Sequence, residues 1–133
     1  MKIIKTVNII TLNAKKDKIL LVKRAADDIL LRKWSFIGQA QRKDENLHEC
    51  AKRILKEDLG VETKEFTPFT KKENTTSNSV IKSEYFIAVI PDKITLNKQK
   101  YTEFEWSKLN EELFFNDYAF NQKDIIADLL KQS

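Results

Sequence analysis

The sequence predicts an α+β sandwich, a mixed sheet with helices on both sides. Three observations carry that prediction. Strand-like apolar alternation fills the first 25 residues and returns at Ser79 to Ile90. A Gly- and Pro-free stretch from Asn46 to Leu59 carries helix signals at both ends, and the C-terminal segment spaces its apolar residues as a helix does.

Taken in order, Lys5 to Asn13 alternates imperfectly, with Val7, Ile9 or Ile10 and Leu12 apolar, and runs into the polar turn Ala14-Lys15-Lys16-Asp17. Lys18 to Ala25 is a second β-run, so the two read as a hairpin. Asp27 to Lys33 reads as a loop with an exposed Leu30-Leu31 pair, and Trp34 to Ile37 as a short buried strand. Asn46 is a good N-cap, Glu49 three residues on completes a capping box, and Gly60 supplies the stop. At about 100° per residue, Ala51, Leu55 and Leu59 fall on one side of this helix and Glu49, Lys52, Arg53 and Lys56 on the other. Ile54, Glu57 and Asp58 occupy the flank between them.

Beyond Gly60, Glu62 to Thr70 reads as a strand interrupted by Pro68, and Lys71 to Asn78 as a polar loop. Ser79 to Ile90 is apolar on both faces at its end, with Tyr85, Ile87 and Val89 opposite Phe86, Ala88 and Ile90, as befits a strand inside a sheet. Pro91-Asp92-Lys93 turns the chain, Ile94 to Leu96 is a short strand, and Phe104-Glu105-Trp106 begins another. Asn110 to Phe114 is a helical turn. Tyr118 to Lys131 is a helix, with Ile125, Ile126, Leu129 and Leu130 at helical spacing.

The 133 residues suit one domain, residues 1–133, and 41% hydrophobic with 33% charged residues is the balance of a soluble globular protein. The longest apolar run, Tyr85 to Pro91, is far below a membrane span, and Met1-Lys2-Ile3-Ile4-Lys5 carries no signal-peptide pattern, so a cytoplasmic protein without a membrane partner is expected. The single Cys50 excludes an internal disulfide, which agrees with a reducing compartment. The net charge of +4 is spread over doublets such as Lys23-Arg24, Arg32-Lys33, Arg42-Lys43 and Lys71-Lys72, a pattern of solvated surface that speaks against a nucleic-acid footprint. Three doublets flank the strands and loop before the helix. If they converge, they make a phosphate-attracting rim, with Arg24 and Arg42 as its substrate-binding candidates.

Adjacent flank carboxylates such as Glu57 and Asp58 can share a hard cation like Mg²⁺, although solvated charges near a helix end look the same in sequence. Their context is informative. The stretch from Gln39 to Val61 resembles the Nudix box of the Nudix hydrolase family, G-x5-E-x7-R-E-U-x-E-E-x-G-U with U aliphatic. Glu45, Arg53, Leu55, Glu57, Gly60 and Val61 match, Asp58 is a conservative change, and Gln39 and Ile54 depart, standing where the family has Gly and Glu. Trp34-Ser35-Phe36-Ile37-Gly38-Gln39 looks like the W-x-x-P-G-G run before the box, and Glu103 to Leu113 like the later E-x-x-W-x-x-x-x-E-L segment.

The resemblance implies a Nudix-like α/β/α sandwich, a mixed β-sheet between helices. It also implies Mg²⁺- or Mn²⁺-dependent cleavage of a diphosphate in a nucleoside-diphosphate-linked small molecule. Glu57, Asp58 and the Gly38 carbonyl would be metal ligands, Arg53 a structural partner of Glu45, and Glu103 the carboxylate replacing what Ile54 cannot supply. A catalytically silent module that binds a nucleotide or a protein partner is the competing reading, because isoleucine neither binds metal nor activates water. On the helical wheel Ile54 simply widens the apolar arc. A basic RNA-contacting protein on the same fold is a third reading, and a homodimer is left open. His48 and Cys50 point to different sides of the helix, with no further His or Cys to complete a zinc site, and read as packing residues. The histidines and strand cysteine that isopentenyl diphosphate isomerases need on a related fold are missing. Without another His no nucleophilic triad forms, and two glycines cannot make a Gly-rich phosphate loop.

Overall fold

A computed structural model of the chain describes residues 1–25, 33–63, 65–120 and 122–132. Seven strands among these residues form one mixed sheet: β1 (Lys2–Leu12), β2 (Lys18–Arg24), β3 (Trp34–Ser35), β4 (Ile37–Ala40), β5 (Thr67–Thr75), β6 (Ser79–Val89) and β7 (Tyr101–Lys108). Helix α1 (Leu47–Leu59) follows β4, and a 3₁₀ turn (Glu111–Phe115) precedes helix α2 (Lys123–Lys131).

The sheet is built around β1. Along its whole length it pairs in parallel with β6, from Lys2 opposite Ser79 to Leu12 opposite Val89, while residues 6–9 pair on the other edge with β4. The expected hairpin survives only at its tip, where Leu12 meets Ile19. Beyond that point β2 leaves β1 and pairs antiparallel with β7 and, at Val22 and Lys23, with β3.

Period-2 alternation sorts the apolar residues onto two faces. On β1 and β2, Val7, Ile9, Leu20 and Val22 pack with Ile54, Leu55 and Leu59 of α1, while Ile10, Leu12, Ile19 and Leu21 pack with Ile125, Ile126 and Leu129 of α2. The predicted sandwich is thus realised, with a core on each side of the sheet. Each fully buried Leu or Ile contributes roughly 1.5–3 kcal/mol.

Several boundaries differ from the sequence reading, each for a local reason. The polar stretch 71–75, expected as loop, continues β5, because an edge strand pairing only with β6 can leave polar side chains in water. Residues 94–96 form no strand. Their segment docks on the end of α1, with the Thr95 and Asn97 amides donating to the Leu59 and Asp58 carbonyls and Asn97 Nδ2 to the Glu57 carbonyl. The last turn of a helix leaves carbonyls unpaired, and this segment supplies donors for them. Helix α2 starts at Lys123 and not at Tyr118, since Tyr118 forms a bridge to Trp34 and Phe120 takes a left-handed φ of 59°. Strand β7 begins at Tyr101, earlier than expected. The loop expected from Asp27 to Lys33, with Leu30 and Leu31, lies outside the described residues apart from Lys33.

Candidate functional site

Helix α1 carries its charged edge where the sequence signals put it. The Asn46 side chain accepts from the Glu49 amide, the Glu49 carboxylate accepts from the Asn46 amide, and Gly60 closes the helix at φ 66°. Cys50, Ile54 and Asp58 recur every fourth residue on the buried stripe, so Asp58 ends up completely buried and Glu57 half-exposed beside it. The wheel assigned both to one flank; one 100° step separates core from cleft.

Arg53 was expected on the exposed side of the wheel, yet its side chain keeps only 12% of its surface in solvent. It folds back onto the loop before the helix, where Nε and Nη2 donate to the two oxygens of Glu45 at 3.0 and 2.6 Å and Nη2 also reaches the Ala40 carbonyl. Such a two-point pair holds register as well as charge. The Arg53 hydrogen bond holds the Glu45 carboxyl at about 2, and the pairing raises the guanidinium above its ordinary value. Burial, reinforced by Glu45, pushes the Cys50 thiol up to about 12, which leaves it inert.

Glu57 and Asp58 sit inside a web of donors. Gln39 Nε2 donates to Asp58 Oδ1 at 2.9 Å and to Glu57 Oε1 at 3.4 Å, while its own Oε1 accepts from Arg53 Nη1 at 2.6 Å. Lys100 Nζ lies 3.2 Å from Asp58 Oδ1 and 3.6 Å from Glu57 Oε1, Tyr101 OH donates to Asp58 Oδ2 at 2.7 Å, and Arg42 lies 3.6 Å from Glu57 Oε2. Burial pushes the Glu57 carboxyl up, but the Gln39 amide and the Arg53, Lys100 and Arg42 charges outweigh it and hold it below its usual value. Burial, and then the Asp58 charge, raise the Tyr101 hydroxyl, so it remains a proton donor to Asp58.

The expected residues do not all meet here. Arg42, Glu57 and Asp58 come together, and Glu45 and Arg53 adjoin them. Glu103 is placed elsewhere: it pairs with Lys23 at 3.3 Å, and Lys23 also covers the Trp34 ring on the α2 side. The cause is a bulge between Lys23 and Arg24. Along β7 the side chains of Phe104 and Trp106 oppose Val22 and Leu20 of the α1 face, which turns Glu103 to the other face, and the register shift then returns Tyr101 to the α1 core.

A divalent cation needs several free, hard oxygen ligands. Asp58 spends both oxygens on Gln39, Lys100 and Tyr101, the Gly38 carbonyl faces Arg24 Nη2 at 3.4 Å, and the position that would bring a third carboxylate is Ile54, deep in the core. No group of three or more His, Cys, Asp or Glu among the described residues is arranged to hold a metal. As the side chains stand, this donor set does not fit Mg²⁺ or Mn²⁺.

The β4 segment that carries Gln39 is also the wall of a cleft on the opposite, α2 side. This cavity of about 450 Å³ is floored by Thr6, Asn8, Ser83 and Tyr85, and bounded by Arg24, Gly38, Lys72, Phe120 and Gln122. Gly38 is required there, because a Cβ would run into the Asn8 side chain. Arg24 lies between the rings of Tyr101 and Phe120, 5.7 and 5.2 Å from their centroids, and its buried Nε has no hydrogen-bond partner. Gln122, fully buried, accepts from the Phe36 amide and leaves its own Nε2 unpartnered in the cleft wall. Sequence reasoning named Arg24 but missed Gln39, Lys100, Tyr101 and Phe120 as site residues. The available signal was Asp58 itself: a buried carboxylate demands donors, although nothing in the spacing says which.

The NUDIX domain model matches residues 2–129. Among solved structures, the chain is similar to the solution structure of the E. coli ORF135 protein, at 21% identity over 98% of this chain and 91% of that one, with a TM-score of 0.83. It is similar to the MutT protein from Methanosarcina mazei Go1, at 18% identity over 98% and 95%, with a TM-score of 0.83. It is also similar to the NUDIX domain of Shewanella oneidensis NrtR complexed with ADP ribose, at 17% identity over 99% and 89%, with a TM-score of 0.81. Identities at this level speak for the fold alone. No curated protein matches the sequence.

Proposed function

Because the chain belongs to the Nudix family, whose domain model spans nearly all of it, we propose that it is a Nudix-fold binding module for a nucleoside-diphosphate-linked small molecule. The ligand lies in the cleft between the sheet and α2, with its diphosphate toward residues 38–40, where Arg24 and Arg42 stand. The carrying observation is the cleft. Its volume of about 450 Å³ is in the range of small-molecule sites, and it ends at an arginine whose Nε lacks a partner. Phe120 adds a half-exposed ring at the mouth, on a backbone held in a conformation that non-glycine residues rarely adopt, and this suits a platform for a base. The similar NrtR domain, complexed with ADP ribose, supports a ligand of that class.

A second reading keeps the chemistry. Nudix hydrolases generally use divalent metal ions, and Glu57, half-exposed on the box helix, favours a weakened Mg²⁺- or Mn²⁺-dependent diphosphohydrolase. Neither reading assigns a role to the membrane, and no helix among the described residues is long and apolar enough to cross one.

One experiment separates the two. The protein is screened against nucleoside diphosphate derivatives, ADP ribose included, first in EDTA and then with Mg²⁺ or Mn²⁺, with melting temperature and released product both recorded. A binding module is stabilised in EDTA, by about 2.7 kcal/mol at a ligand concentration 100 times Kd, and releases no product in either condition. Product that forms only with metal establishes the hydrolase, and no stabilisation by any ligand removes the binding reading.

A further inference from the structure

We propose that the Lys100 ammonium is the resident cation of this site. It occupies the place between Glu57 and Asp58 that a divalent ion would need, so the site receives a diphosphate without metal. The part concerning the diphosphate rests on the binding reading above; the part concerning the cation stands on the geometry alone.

Nζ lies within reach of one oxygen of each carboxylate, 3.2 Å from Asp58 and 3.6 Å from Glu57. Asp58 is completely buried, and burying a carboxylate is costly unless a positive charge and hydrogen bonds replace the lost solvent. Lys100 supplies the charge, while Tyr101 and Gln39 supply the bonds. The main chain that carries the ammonium is anchored as well. The Lys100 and Tyr101 amides both donate to the Asn97 carbonyl, and Asn97 is itself fixed to the last turn of α1.

Both departures from the box pattern follow from this arrangement. Position 54 lies deep in the apolar core and brings no third carboxylate to the site. With Ile54 only two remain, and a single positive charge with Arg42 at the rim suffices. Gln39 puts its amide across both carboxylates and its carbonyl oxygen on Arg53, filling space that a glycine would leave open to solvent and ions. Around the carboxylates, Arg42, Arg53 and Lys100 stand against Glu45, Glu57 and Asp58. The carboxylates are therefore balanced by side-chain cations with no metal bound, which leaves no net negative field to draw in a divalent ion. An ammonium has three N–H donors, one of them bonded to Asp58 with Glu57 nearby, and the Lys100 side chain is 37% exposed, so a donor is left for a phosphate oxygen.

The test uses Mn²⁺ alone, so it reads out whether or not any nucleotide binds. Melting temperature and the Mn²⁺ spin-resonance signal are followed during titration of the parent, Lys100→Arg and Lys100→Gln. In the parent and in Lys100→Arg, millimolar Mn²⁺ leaves the melting temperature unchanged. Lys100→Gln melts lower, is restored by Mn²⁺, and binds the ion at least tenfold more tightly than the parent. Where Lys100→Gln does not fold alone, recovery of the folded state on adding Mn²⁺ carries the same meaning. The proposal is overturned if the parent binds Mn²⁺ as tightly as Lys100→Gln, or if Mn²⁺ neither stabilises nor recovers that variant.

Discussion

Arg53 and Glu57, one turn apart on α1, anchor two charged groups that behave in opposite ways. Arg53 and Glu45 close on each other through two short bonds, with 12% and 13% of their side-chain surface exposed, and their remaining contacts end within the protein. Glu57 and Asp58 instead gather Lys100, Arg42, the Gln39 amide and the Nη1 of Arg53, mostly at longer distances and toward solvent at Glu57. Charge alone does not separate a brace from a site. What separates them is whether donors and acceptors are balanced inside the fold or leave capacity directed at solvent.

Ile54 lies between the two pairs and gives the largest expected effect. Completely buried among Ile9, Leu55 and other core residues, Ile54→Glu would put an unpaired carboxylate in an apolar environment, costing on the order of 4 kcal/mol. Urea denaturation should show that loss, with no gain in metal-dependent turnover; a stable variant with increased turnover would revive the hydrolase reading. Next is Arg53→Ala, which strands Glu45 and should cost about 3 kcal/mol by the same measurement, while Glu57→Gln costs under about 1 kcal/mol because Glu57 and its partners Arg42 and Lys100 are partly in solvent. Similar losses at both positions would erase the distinction between brace and site.

The smallest effect is in pH. Glu45 is held at about 2 in the folded chain against an ordinary 4.5, so its contribution is complete above pH 4.5 and is lost as pH falls toward 2. The contribution is on the order of 2 kcal/mol, and a stability profile from pH 5 to pH 2 should fall accordingly in the parent and flatten in Arg53→Ala. A parent profile as flat as that of the variant would mean that Arg53 does not hold Glu45.

The helix was legible because its signals are local: cap, capping box, apolar stripe and closing glycine all lie within 46–60. The partnership of Arg53 with Glu45 could be anticipated from the order of residues, whereas the covering of Asp58 could not, since Lys100 and Tyr101 lie 42 and 43 residues away. Glu103 was misplaced because strand parity is readable only while the register is unbroken, and one bulge opposite Lys23 and Arg24 reverses it. Strand β5, expected over 62–70, runs over Thr67–Thr75, because polarity marks loops and exposed edge strands alike.

The segment that ends α1 has a bearing on how costly recognition is. A helix terminus ordinarily frays, and a receptor built there must be immobilised by its ligand. Thr95 and Asn97 fasten this terminus during folding, so Glu57, Asp58, Lys100 and Tyr101 are already in place when a ligand arrives. The ordering entropy is met before the encounter, and affinity then depends on how well a ligand's oxygens match a fixed array of donors.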